Sequence, residues 1–151
     1  MANWTYNGSV VDTLPEDCEA FVYLITNTTN NKKYIGKKHL WSKTTRPPLK
    51  GKKRKRKVVK ESDWQQYYGS SEELKLLVET SCQDRFERKI LRLCVSKGEM
   101  SYWEMWYQMT EHVLLRPDKY YNAFVGGKIH RKHVLKNESN TTIQSSKTRR
   151  S

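Results

Sequence analysis

The stretch Phe21-Val22-Tyr23-Leu24-Ile25-Thr26 constrains the fold more than any other part of this chain. It is rich in β-branched and aromatic residues, which favour a pleated, half-buried strand. Thr28-Thr29-Asn30-Asn31-Lys32 then supplies turn chemistry before Lys33-Tyr34-Ile35-Gly36, so the segment predicts a β-hairpin. A chain of 151 residues can close one core of ordinary domain size around such a hairpin.

The remaining elements follow from local pattern. Ser70 or Ser71 can cap a helix whose first turn holds Glu72 and Glu73, with Leu74, Leu77 and Val78 on one face and an end near Ser81. Phe86 to Cys94 alternates apolar and charged side chains and predicts a third strand. A second helix is expected to open at Gly98-Glu99-Met100-Ser101 and run to about Glu111, with Trp103, Trp106 and Tyr107 sharing a face. Tyr120 to Phe124 reads as a short strand or turn. Residues 1–19 show no sustained period and read as an irregular extension, although Trp4 and Tyr6 are candidates to pack on the domain. Pro47, Pro48 and Gly51 interrupt residues 37–63, which read as a long mobile loop. The expected class is α+β, a β-β-α-β-α sandwich with a mostly antiparallel three-stranded sheet flanked by helices.

Charge points to the partner. The formal net charge is +13, of which residues 50–60 carry +8 and residues 126–151 carry +6, leaving −1 for the rest. Like charges crowded into one loop and one tail repel each other, so a polyanion is the natural reason for them. Neutralising phosphates releases counterions, which favours nucleic acid over an acidic lipid surface. The candidate contacts are Lys50, Lys52, Lys53, Arg54, Lys55, Arg56, Lys57 and Lys60, with Arg131 and Lys132 in the tail. No apolar run approaches the length that spans a bilayer, and no secretory leader pattern opens the chain. A cytoplasmic, unsecreted protein is expected. Cys18, Cys82 and Cys94 are odd in number and widely spaced, which suits packing in a reducing compartment.

Val22-Tyr23 followed by Tyr34-Ile35-Gly36 resembles the paired motif of the GIY-YIG nucleases, with Phe21 where that family usually has Gly. Gly69-Ser70-Ser71, Glu104 followed by Tyr107, and Tyr121-Asn122 continue the resemblance over roughly residues 20–125. The blocks at 34–38, 47–56, 62–64 and 67–74 are similar to those of the Seg-type phage endonucleases. Several ordered blocks are far more specific than one short motif. The resemblance implies a nuclease domain over 20–125 with a basic insertion over 43–62, an extension over 1–19 and a basic tail over 126–151.

It also implies hydrolysis of phosphodiester bonds in DNA, mainly duplex, in a phage-type, homing-like setting. Glu104 would hold one Mg²⁺, with Mn²⁺ as a substitute. Tyr23 would help to deprotonate water, Tyr34 would share the site and Asn122 would orient groups within it. A phenol is a poor base near neutrality unless cations lower its pKa. The expected catalytic Arg has no clear match: Arg46 is the first candidate and Lys38 the second, with His39 as a substitute for a His that some relatives carry where Gly69 stands here. His130 and His133 are spaced for a metal pair on a helix but have no partner ligand. Two rivals stay open: a catalytically inactive nucleic-acid-binding protein on the same scaffold, and a basic RNA-associated protein.

Overall fold

A computed structural model describes residues 3–127 together with Ile129, Arg131 and Lys132; His130 and His133 lie outside the described residues. The fold is α+β. The strands are β1 (Trp4–Tyr6), β2 (Ser9–Val10), β3 (Ala20–Asn27), β4 (Lys32–His39), β5 (Trp41–Arg46), β6 (Arg56–Glu61) and β7 (Phe86–Cys94), and the helices are α1 (Glu72–Thr80) and α2 (Lys97–Thr110). One five-stranded sheet has the order β2-β1-β7-β3-β4, and β5 and β6 form a separate ribbon.

The expected hairpin is β3–β4, with Tyr23 opposite Gly36. Its turn rests on asparagines: the Asn27 and Asn30 side chains accept from the backbone N–H of Thr29 and Lys32, and Asn31 takes a left-handed φ of 59°, which Asn tolerates better than most residues. β7 spans the expected residues and pairs antiparallel with β3, but with a register shift at Val22/Tyr23. Leu91 is the extra residue, so Ile90 faces the Tyr23 side while Arg92 faces the side of Val22. This bulge explains why the end of β7 looks apolar on both faces.

Two expectations need correction. The sheet has five strands rather than three, because residues 1–19 are not irregular throughout. Asn7 (φ 51°) and Gly8 (φ 82°) make the tight turn of a β1–β2 hairpin, and β1 then runs parallel to β7. Trp4 anchors it: the indole is buried, packs edge-on against Phe21 and Tyr23, and donates to the Trp64 carbonyl at 2.7 Å. Second, the long loop is mostly a ribbon, with Trp41 opposite Glu61 and Arg46 opposite Arg56; the two prolines sit in its nine-residue connection, where no ladder hydrogen bond is asked of them. The α2 aromatics share a face as expected: Trp103 and Tyr107 pack against the core on that side, while Trp106, edge-on to both, is exposed.

The two faces of the sheet carry separate cores. Phe21, Tyr23 and Ile25 of β3 join Trp4, Trp64, Tyr68 and the α1 residues Leu74 and Val78. Ala20 and Val22 join Ile35, Cys94 and Met100 of α2. Both helices are capped by serines, with Ser71 accepting from Leu74 and Ser96 from Glu99. Cys18 and Cys94 are buried as expected of packing residues, whereas Cys82 is exposed. Among the described residues no helix is long and apolar enough to cross a membrane.

Candidate active site

β4 is the edge of the sheet, and its alternation divides the site. Tyr34, Gly36 and Lys38 point to the α1 side, and Ile35, Lys37 and His39 to the α2 side. Tyr23 lies opposite Gly36 and its ring covers that glycine. A Cβ there would come within 2.7 Å of Tyr23 Cζ and 2.8 Å of Tyr34 Cε1. Gly36 is therefore required for space, and it brings the two phenol rings to 6.1 Å between centroids. Tyr67 closes the group, 5.9 Å from Tyr23.

The two phenols differ in state. Tyr23 is fully buried and its hydroxyl has no hydrogen-bond partner. Burial, reinforced by the neighbouring Tyr67 and Tyr34 phenols and the Glu104 carboxylate, pushes it well above the ordinary tyrosine value. Tyr67 packs against Tyr23 and disfavours its ionisation. Tyr34 is more open, and its hydroxyl is 2.7 Å from Ser70 Oγ. Its pKa is raised by burial and lowered by that hydrogen bond.

Glu104 reaches the same place from α2. Met100, Glu104 and Gln108 follow one another at i, i+4 and i+8, and both neighbours are buried, so the carboxylate sits on the face turned to β4. Its side chain is 13% exposed, and Lys37 Nζ lies 3.6 Å from Oε1. Burial raises the Glu104 pKa, while the ammonium opposes the rise. Lys37 also donates to Ser101 Oγ at 3.3 Å. Two clefts, of about 710 and 430 Å³, meet here: Lys37, Ser70 and Glu104 line both. Tyr34 lines the smaller and Tyr67, Lys38 and His39 the larger.

Asn122 serves the backbone. Its Oδ1 accepts from Ile35 N–H at 3.0 Å and its Nδ2 donates to Ile35 C=O at 2.7 Å, the carbonyl that also accepts from Gln108. Residues 119–121 run beside the open edge, since Lys33 N–H donates to Lys119 and Tyr121 N–H to Lys33. The side-chain amide of Asn122 thus extends the ladder past an edge that would otherwise end at Ile35.

The other candidates are more dispersed. Lys38 is held by Asp63 at 2.6 Å and lies over the Tyr67 ring at 4.0 Å. His39 is pushed below the usual histidine value by burial and by Lys97, Lys37 and Lys38. Arg46 is exposed on the ribbon and lines neither cleft. Of the basic candidates, Lys60 reaches the larger cleft. Lys50, Lys52, Lys53, Arg54, Lys55, Arg56 and Lys57 are exposed along the ribbon, as are Arg131 and Lys132 beyond residue 127.

No sequence pattern marks Lys37, Tyr67 or Gln108 as site residues, and Ser70 stands out only as a cap and within the Gly69-Ser70-Ser71 block. Lys37 stands next to Lys38, and only knowledge that β4 is an edge facing α2 separates the two. Ser70 reads as a helix cap, but Ser71 fills that role and leaves the Ser70 hydroxyl to Tyr34.

The α+β scaffold with its tyrosine-lined hairpin is that of the GIY-YIG resemblance: residues 4–125 match the family model described as "Putative endonuclease segE, GIY-YIG domain". This chain belongs to that family. No curated protein and no solved structure matches the chain. The family match includes β1, in keeping with its place in the sheet.

Proposed function

We propose that this protein is a divalent-metal-dependent DNA endonuclease that hydrolyses phosphodiester bonds at the edge of β4. The observation that carries the reading is Glu104, among the described residues the only carboxylate that lines both clefts, set beside Lys37 and Ser70. Mg²⁺ is commonly held by one or two carboxylates, with its other positions left to water and phosphate. A single recessed carboxylate open to a cleft suits that mode, and Mn²⁺ would be tolerated by the same oxygen ligand. Among the described residues no group of three His, Cys, Asp or Glu side chains forms a closed cage. When bound at Glu104, the cation would supply charge neutralisation on the phosphate and a more acidic water.

The chain's own residues do the rest. Lys37 and Lys38 supply the positive charge that a pentavalent phosphate requires, in place of an arginine. Tyr34, held by Ser70, is the phenol beside the cleft and orients the attacking water. It accepts a proton only while nearby cations offset its raised pKa. Tyr23 stays neutral behind it and fixes the plane of Tyr34 over Gly36. Asn122 holds Ile35, and so the register of Tyr34 and Lys37. The basic ribbon supplies affinity for duplex DNA, and the likeness to Seg-type phage endonucleases favours a homing-like role inside a host cell.

Supercoiled plasmid tests the reading. With Mg²⁺ the protein is expected to nick or linearise it, chelator should stop the reaction, and Tyr34→Phe should slow it by about 10²-fold or more. Plasmid bound but left intact under all divalent cations would instead identify a binding protein on the same scaffold.

A further inference from the structure

The β5–β6 ribbon has no core of its own. Apart from Trp41 and Val58, its strand residues are exposed, with Val59 58% accessible, and a two-stranded hairpin in water is marginal. From Lys43 to Lys60 it carries ten lysines and arginines and no acidic residue. Register separates its faces. Ser42, Thr44 and Arg46 face Lys60, Val58 and Arg56 on one side, and Lys43 and Thr45 face Val59 and Lys57 on the other. Arg46 lies directly opposite Arg56. Like charges in that relation destabilise a free hairpin, so the pair needs an electronegative partner between or above the two side chains.

The composition of the Arg46 face goes beyond a phosphate grip. Arginine pairs bidentately with guanine O6 and N7, and the methyl groups of Thr44 and Val58 suit the thymine methyl. Six-residue strands extend about 17 Å, and a ribbon of two strands about 4.8 Å apart fits a major groove roughly 12 Å wide and 8.5 Å deep. Ser42, Lys43 and Lys60, at the ribbon's root, line the larger cleft. A duplex engaged by the ribbon therefore passes the Glu104 site.

We propose that the ribbon enters the major groove of duplex DNA and reads bases through Arg46 and Arg56, while the lysines of its connection hold phosphates. This rests on DNA being the substrate but not on cleavage, so it is tested by binding in chelator. The full chain selects duplexes from a randomised pool, and the bound set is probed by methylation interference. Expected are an enriched sequence, interference at guanine N7, and a preference over a scrambled duplex that falls about tenfold or more in Arg46→Ala and in Arg56→Ala. Lys53→Ala, in the connection, should weaken all sequences alike and lower the salt slope by about one. Unchanged thermal melting of these exposed-site variants guards against misfolding. The proposal is overturned by absence of any enriched sequence, by interference confined to adenine N3 in the minor groove, by equal weakening of all duplexes in the arginine variants, or by equal competition from double-stranded RNA, whose deep major groove side chains cannot read. Selective binding without cutting in Mg²⁺ would sink the nuclease reading and leave this one intact.

Discussion

Tyr23 carries a hydroxyl that the fold does not satisfy, and such a group costs about 1–3 kcal/mol when buried. Tyr23→Phe is therefore expected to raise the urea midpoint while leaving the m-value unchanged, and a loss of stability would show an unrecognised partner. Asn122→Ala strips Ile35 N–H of its acceptor, whereas Gln108→Ala leaves the Ile35 carbonyl bonded to Asn122. The first should cost about 1–3 kcal/mol and the second less, as denaturant melts can decide. Glu104 has its pKa raised in the folded protein, so the native state binds more protons between the unfolded and folded values. Stability falls as pH rises through that window, and the full cost is present above the folded value. Glu104→Gln should melt higher than wild type at pH 7, with the gap closing below about pH 4. Because Lys37 lowers the Glu104 pKa, Lys37→Met should move the acid limb of the cleavage profile to higher pH. At this scale the sequence shows the residue types but not their surroundings. Glu104 resembles any charged residue on a helix until Met100 and Gln108 are known to be buried beside it.

Elements with a local cause were legible. β3–β4 follows from a strand pattern and an asparagine-rich turn, α1 from a serine cap and two glutamates, and β7 from alternation. The Asn7-Gly8 turn was also present, but two- and three-residue strands are too short to establish a period, and the pairing of β1 with β7 joins residues more than eighty positions apart. The ribbon was hidden by its charge and prolines, which mark the connection and not the strands. Since it buries little, replacing residues 43–59 by Asn-Gly should change stability by no more than about 0.5 kcal/mol. DNA affinity at low salt should fall about a thousandfold through lost phosphate contacts. A large loss of melting temperature in that variant would mean that the ribbon braces the sheet.

For the whole molecule, the edge of one sheet brings together two faces with different tasks. The α1 side holds three phenols around Gly36, and the α2 side presents a recessed carboxylate and its lysine. The ribbon extends the basic surface outward from the same rim. The clustering of the +13 charge is legible from composition alone, but which cations reach the cleft is not, because Arg46 travels with the ribbon while Lys37 and Lys38 line the cleft. The most direct test is the single-turnover cleavage rate of Glu104→Gln with Mg²⁺ and DNA fully bound. The account predicts a loss of about 10²-fold or more with DNA affinity unchanged; a rate within twofold of wild type would contradict it.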